Sequence, residues 1–248
     1  MLSTTYIAIL ILALLSGLTT LIGVALAIYF KKNIKFLVIG IGFSAGIMLL
    51  ISFFELIPES VKAAGIVKTL IALFLGISLI ALLNFIVPHT HLVKEKGRID
   101  HHLIKAAYLV AFGLILHDFP EGFAMANSYI YSPGLGLLVA LAIAIHNIPE
   151  EFAMAAPIVL AKSKSFLYKT AFISGLAEPA GAVLGLVAVH FFQALNPLFM
   201  SFAAGAMIFI SLDELFPMAK RYKKTSLFVL GIFLSIFVYL SLTILIPG

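Results

Sequence analysis

Two short segments carry the side chains most able to do chemistry. One reads His117-Asp118-Phe119-Pro120-Glu121 and the other His146-Asn147-Ile148-Pro149-Glu150-Glu151. Each sets an imidazole four residues ahead of a carboxylate, with a proline just before the acid. On a helix, positions i, i+1 and i+4 fall on one face. That spacing gathers His117, Asp118 and Glu121 on one helix and His146, Asn147 and Glu150 on another. The proline ring donates no backbone bond, so the carbonyls of Leu116 and Ile145 lose their helical partners and a local kink is expected at each. Span six adds a second kind of acid-proline pair, Glu178-Pro179. Two imidazoles, several carboxylates and a carboxamide form a donor set of borderline nitrogens and hard oxygens. It suits first-row divalent ions such as zinc, iron, manganese or cobalt, and suits sodium or potassium poorly. With Glu121 and Glu150 as bridges, the set can serve two ions.

The elements that must position these groups are membrane helices. Of 248 residues, 62% are hydrophobic and only 11% charged, with a mean hydropathy of +1.17. A soluble domain carries roughly 45–50% apolar and about 25% charged residues. This balance excludes an ordinary soluble enzyme, a disordered chain and a nucleic-acid binder. Cysteine is absent, which removes disulfides and thiolate metal sites. About 20 apolar residues cross a bilayer core, and eight such runs are present: 5–30, 36–58, 66–88, 105–128, 135–160, 166–191, 197–219 and 225–246. The first is too long for a signal-peptide core and lacks a basic leader, so it is expected to be a true span. The whole chain, 1–248, reads as a single transmembrane domain, its longest connection being the polar stretch 89–104.

Basic residues crowd alternate connections: Lys31, Lys32 and Lys35; Lys94, Lys96, Arg98 and Lys105; Lys162, Lys164 and Lys169; Lys220, Arg221, Lys223 and Lys224. That is 14 of the 16, leaving Lys62 and Lys68 on the other side. The positive-inside rule assigns the crowded loops to the cytoplasm and so both termini to the outside. The formal net charge of +5 is thus a matter of topology rather than of an acidic partner.

A duplication lies within the chain. Residues 43–60 align with 202–219 at a fixed offset of 159, with nine of 18 positions identical, including Glu55-Leu56 and Pro58 against Glu214-Leu215 and Pro217. At offset 158, Ser16-Gly17-Leu18, Gly23 and Leu26 meet Ser174-Gly175-Leu176, Gly181 and Leu184. Span two runs outward and span seven inward, so the expected architecture is all-α, with eight spans in a 3+2+3 inverted repeat. Secondary transporters are built this way, with their site at midplane on discontinuous helices. Thr20 stands where Glu178 does in the other unit, so Glu178 is expected to complete one central site.

The remaining intramembrane acids are Glu55, Glu151, Asp213 and Glu214, none with Lys or Arg nearby in its span. A buried charge costs roughly 2.5–3.5 kcal/mol on insertion scales, so a bound or passing cation is the economical way to keep them. Glu55 and Glu214, with Glu151 and Asp213, are candidate pathway positions, a structural helix-end role for the first two being equally open. Glu59 is expected to snorkel at the outer surface, and His190 to be a hydrogen-bonded core residue. In the cytoplasmic stretch, His89, His91, His101 and His102 could hold a metal leaving the pathway, or could simply be solvated.

Three functions compete on this ground. The first is a carrier of divalent transition metals. The second is an intramembrane zinc hydrolase, although no His-Glu-x-x-His motif is present. The third is a proton- or sodium-coupled exchanger of other solutes. No G-x-x-x-x-G-K-[ST] loop supports direct ATP drive. The segments HDFPEG, HNIPEE and AEPAG, with SLDELFP in span seven, resemble the ZIP family of divalent-metal transporters, nearest its prokaryotic ZupT/GufA-like branch. The resemblance covers all eight spans. It implies import of zinc or a related divalent ion into the cytoplasm across the cell membrane, no prosthetic group, a homodimer, and a binuclear site. It assigns His117, Glu121, His146 and Glu150 to one metal, and Asp118, Asn147, Glu178 and the bridging glutamates to the other. Two positions depart from the branch pattern: Asp118 replaces Asn, adding a negative charge that favours a harder or second cation, and Glu151 replaces Gly.

Overall fold

The computed structural model describes residues 2–30, 33–86, 101–156, 159 and 163–246, with side chains from residue 4 and, in the helix that begins at 101, from residue 116. The described chain is helical, without a strand. Twelve α-helices succeed one another: α1 Leu2–Leu18, α2 Thr20–Tyr29, α3 Ile34–Ile51, α4 Ile57–Ala64, α5 Ile66–Ile86, α6 His101–Tyr131, α7 Pro133–Ala155, α8 Lys164–Gly175, α9 Ala177–Phe191, α10 Asn196–Ile210, α11 Phe216–Arg221 and α12 Thr225–Leu245. Seven helical runs among the described residues are long and apolar enough to cross a membrane: Thr4–Tyr29, Ile34–Ala64, Ile66–Ile86, Pro133–Ala155, Lys164–Phe191, Gln193–Arg221 and Thr225–Leu245. Each falls on an expected span to within a few residues. The helix His101–Tyr131 occupies the place of the remaining one.

Polar residues are inside and large apolar ones outside, the arrangement a bilayer demands. Phe74, Phe237 and Leu245 are exposed, while His117, Glu121, His146 and Glu178 are buried. The helices α5 and α12 are the most peripheral: only 22% and 28% of their apolar windows are buried, against 67% for Ile34–Ala64. They follow α3–α4 and α10–α11 respectively, so the two matched units each place their third span at the rim.

The packing partners repeat in the same sense. α3 packs on α12 as α10 packs on α5; α3 on α7 as α10 on α6; and α1–α2 on α7 as α8–α9 on α6. Glycine permits the closest of these approaches. A Cβ on Gly122 would sit 1.8 Å from the Glu178 carbonyl oxygen, and one on Gly17 would sit 2.0 Å from that of Gly175.

The interruptions fall where the prolines did not place them. α6 and α7 run unbroken through Pro120 and Pro149. The breaks are instead at Thr19, between α1 and α2, and at Leu176, between α8 and α9. At the first, the Thr19 hydroxyl donates to the Ser16 carbonyl at 2.6 Å and Thr20 to that of Gly17 at 2.7 Å. Hydroxyls thus take up carbonyls at the break. Two further irregularities are π-helical turns, Ser52–Leu56 and Ser211–Leu215, at matching positions of the duplicated segments.

Candidate metal centre

α6 and α7 are joined by the single residue Ser132, so they run antiparallel and pack together. Each presents its His and Glu, one helical turn apart, toward the other. His117 Nε2 lies 2.6 Å from Glu150 Oε1 and 3.6 Å from Glu121 Oε1. His146 Nε2 lies 3.1 Å from Glu121 Oε1 and 3.7 Å from Glu150 Oε2. Every one of these contacts joins imidazole to carboxylate, and two of the four cross between helices. Ligand atoms of a tetrahedral zinc at ~2.0 Å stand about 3.3 Å apart; the spacings found bracket that value.

The tautomer of His146 is set by its surroundings. Its Nδ1 is 2.9 Å from the Ala142 carbonyl, an acceptor, so Nδ1 carries a proton and Nε2 is the nitrogen turned toward the carboxylates, 3.1 Å from Glu121 Oε1. A backbone carbonyl holding the far nitrogen of an imidazole is the usual support of a metal-binding histidine. From behind, Ser44 on α3 donates to the His146 carbonyl at 3.0 Å.

The four side chains are almost fully buried, yet they do not satisfy one another. Among the described residues, His117 Nε2, Glu121 Oε2 and Glu150 Oε2 have no hydrogen-bond partner, even though His117 lies within ion-pairing reach. Orphaned buried oxygens are costly and mark a place for a missing partner. Between residues 106 and 161 the chain contains no Lys or Arg to supply it. Among the described residues, His117, Glu121 and Glu150 are the group whose ligand atoms all lie within 4.8 Å of one another.

The other expected ligands are adjacent but differently engaged. Asn147 donates to Glu178 Oε1 at 2.5 Å and to the Ser16 carbonyl at 3.4 Å. Asp118 Oδ2 accepts from the Ser174 hydroxyl. All three are buried, and Glu178 Oε2 has no partner. They share no close carboxylate cluster with Glu121 and Glu150. Of the pathway candidates, Glu55 lies half-buried in the first π turn, accepting from the Tyr239 hydroxyl. Glu214 is buried in the second. Asp213, next to it, is exposed and accepts from Asn84 at 2.7 Å. Glu151 is buried with Oε2 unpartnered. None of the four is among the residues whose ligand atoms lie within 4.8 Å of one another, but Glu151 and Glu214 are near enough to interact electrostatically with His117.

Several expectations change. His190 is exposed, its ring edge-on to Phe191 at 5.2 Å, and is no core residue. Glu59, expected at the surface, pairs there with Lys62 at 2.6 Å and accepts from Tyr131 at 3.2 Å. His89 and His91 lie outside the described residues, with Lys31, Lys32, Lys94, Lys96, Arg98 and Lys162. His101 and His102, expected in the connection, open α6 instead. The site residues that the sequence did not single out are Ser44, Ser16 and Ser174; only the last two left a signal, the repeated Ser-Gly-Leu.

A family model described as ZIP zinc transporter matches residues 89–245. The chain is 40% identical over 243 residues to the zinc transporter ZupT of Chlorobaculum parvum, covering 89% of this chain and 91% of that protein. It is 41% identical over 246 residues to the ZupT of Chlorobium phaeovibrioides, covering 90% and 92%. Against the ZupT of Clostridium perfringens the identity is 36% over 258 residues, with 90% of each chain covered. The chain belongs to the ZIP zinc transporter family.

Proposed function

We propose that the chain carries zinc and related divalent transition-metal ions inward across the cell membrane, through a binuclear site at the middle of the bilayer. It is a multi-pass membrane protein of a transporter family, not an enzyme. One metal is held by His117, Glu121, His146 and Glu150, and the other by Asp118, Asn147 and Glu178 with the two bridging glutamates. Glu55, Glu151, Asp213 and Glu214 are assigned to the route, and His89, His91, His101 and His102 to its cytoplasmic side. The ions are the cargo; no prosthetic group is invoked.

The observation that carries the reading is the four-residue cluster itself. Two imidazoles and two carboxylates meet in a dry place, keep orphaned oxygens, and have no basic residue in either span to neutralise them. A dication supplies what is missing. The reading includes eight spans, a 3+2+3 inverted repeat and external termini; the exchanged packing of α3–α12 and α10–α5 supports it, as do the matched π turns. The test is metal uptake by proteoliposomes. His146→Ala and Glu150→Ala are expected to abolish zinc uptake, and undiminished uptake by either variant overturns the assignment.

A further inference from the structure

The repeat relates more than backbone. α6 and α7 correspond as a pair, with Asp118 matching Asn147, while Ser174 at the end of α8 matches Ser16 near the end of α1. The matched residues meet in space. Ser174 donates its hydroxyl to Asp118, and Ser16 accepts from Asn147 through its carbonyl. Both serines are buried, at 0% and 1% exposure, beside the two helix breaks, and the Gly17–Gly175 contact holds those breaks face to face.

The symmetry fails in one informative respect. Ser174 gives its proton to a carboxylate, whereas Asn147 is a donor and engages Ser16 only through its carbonyl. Ser16 Oγ is buried without a hydrogen-bond partner, and so is Glu178 Oε2. Asn147 Nδ2 reaches both the Ser16 carbonyl and Glu178 Oε1, and the Ser16 hydroxyl stands against the same carboxyl, the one group it interacts with among the described residues. Two orphaned oxygens in one dry pocket, with an amide already committed to the third, form an oxygen-only donor set. Such a set favours hard divalent cations, manganese over cadmium.

We propose that Ser16 and Ser174 complete the pocket on the Glu178 side, Ser16 as an oxygen ligand to the cation and Ser174 as a positioning residue that fixes Asp118. The proposal rests on the metal-transport reading and extends it to residues outside the two proline motifs.

The chain has no cysteine, so an introduced thiol is the only one present and reports cleanly. Ser16→Cys replaces a hard ligand by a soft one. In the purified full chain, titration with cadmium alone is expected to raise an ultraviolet thiolate-to-cadmium charge-transfer band. Ser174→Cys, whose side chain is committed to Asp118, is expected to give none. In uptake, Ser16→Ala raises the KM for manganese about tenfold more than that for zinc, and Ser16→Thr restores it. Ser174→Ala weakens manganese uptake, and Ser174→Thr rescues it. A folded, zinc-transporting Ser16→Cys without the band overturns the ligand role, and a band from Ser174→Cys overturns the positioning role. If Ser16→Cys does not fold, an unchanged manganese KM in Ser16→Ala overturns the ligand role alone. Failure of the wild-type chain to move any divalent metal is a different result, and it removes the transport reading itself.

Discussion

His146 is held at three points: Nδ1 by the Ala142 carbonyl, its own carbonyl by Ser44, and Nε2 by the carboxylates it faces. The supports and the ligands should answer differently to mutation. Ser44→Ala removes one neutral hydrogen bond, worth about 1 kcal/mol, so the melting temperature should fall by a few degrees while zinc uptake stays within about fivefold of wild type. Glu150→Gln keeps the shape but removes the charge that faces both imidazoles, and uptake should be lost with little change in melting. Paired melting curves and uptake rates check both, and equal loss of uptake in the two variants would refute the division. The proposed ligands were legible because an imidazole and an acid one turn apart in an apolar run have few other reasons to exist. The serines were not. A serine in such a helix usually bonds a carbonyl of its own preceding turn, as Ser128 does to Ala124 and Ser211 to Met207. Type and spacing do not separate these from Ser44, whose partner is 102 residues away.

At the scale of the elements, close approach governs. α6 and α9 cross where Gly122 faces the backbone of Glu178 and Gly181 that of Phe119, with a Cβ at either glycine about 2 Å from a carbonyl oxygen. Neither backbone can yield without moving a ligand-bearing helix. Gly122→Ala is therefore expected to lower stability by several kcal/mol, in the manner of overpacked cores, and to abolish uptake in whatever fraction folds. Gly65 is the contrasting case. It links α4 to α5 at φ +83° with open space around it, so Gly65→Ala should cost only about 1–3 kcal/mol of backbone strain and leave the transport KM unchanged. A Gly65→Ala variant as damaged in uptake as Gly122→Ala would show that local strain, not helix contact, sets the outcome. The spans themselves were readable from hydropathy, but their interruptions were not. A proline inside α6 or α7 removes one bond and the helix continues, whereas the break at Thr19 comes from two hydroxyls that take carbonyls three residues back. The π turns escaped for a similar reason: inserting one residue into a helical turn leaves no mark in composition, and only their recurrence at offset 159 ties them to the duplication.

For the molecule as a whole, the question is which way it faces, since inward transport through an inverted repeat has meaning only once sidedness is fixed. Charge separates the two faces: 14 of 16 basic residues fall in or at the helix ends flanking alternate connections of the sequence. The two exceptions differ in circumstance, Lys62 being neutralised by Glu59 at 2.6 Å and Lys68 flanking an apolar groove with Leu75 and Phe202. Neither adds a cytoplasmic-type cluster to the opposite face, so the translocation bias is one-sided. The absence of native cysteine again supplies the test. Thr4 at the start of α1 and Lys223 between α11 and α12 are both exposed, at opposite ends of the bundle if the span count is even. In intact cells, Thr4→Cys should react with a membrane-impermeant maleimide at once, and Lys223→Cys only after the membrane is permeabilised. The reverse pattern would invert the direction assigned to transport, because the same cluster would then release its ion outward. Equal labelling of both positions in intact cells would leave an even number of spans between them, which the proposed pairing of units on either side of α6 and α7 cannot accommodate.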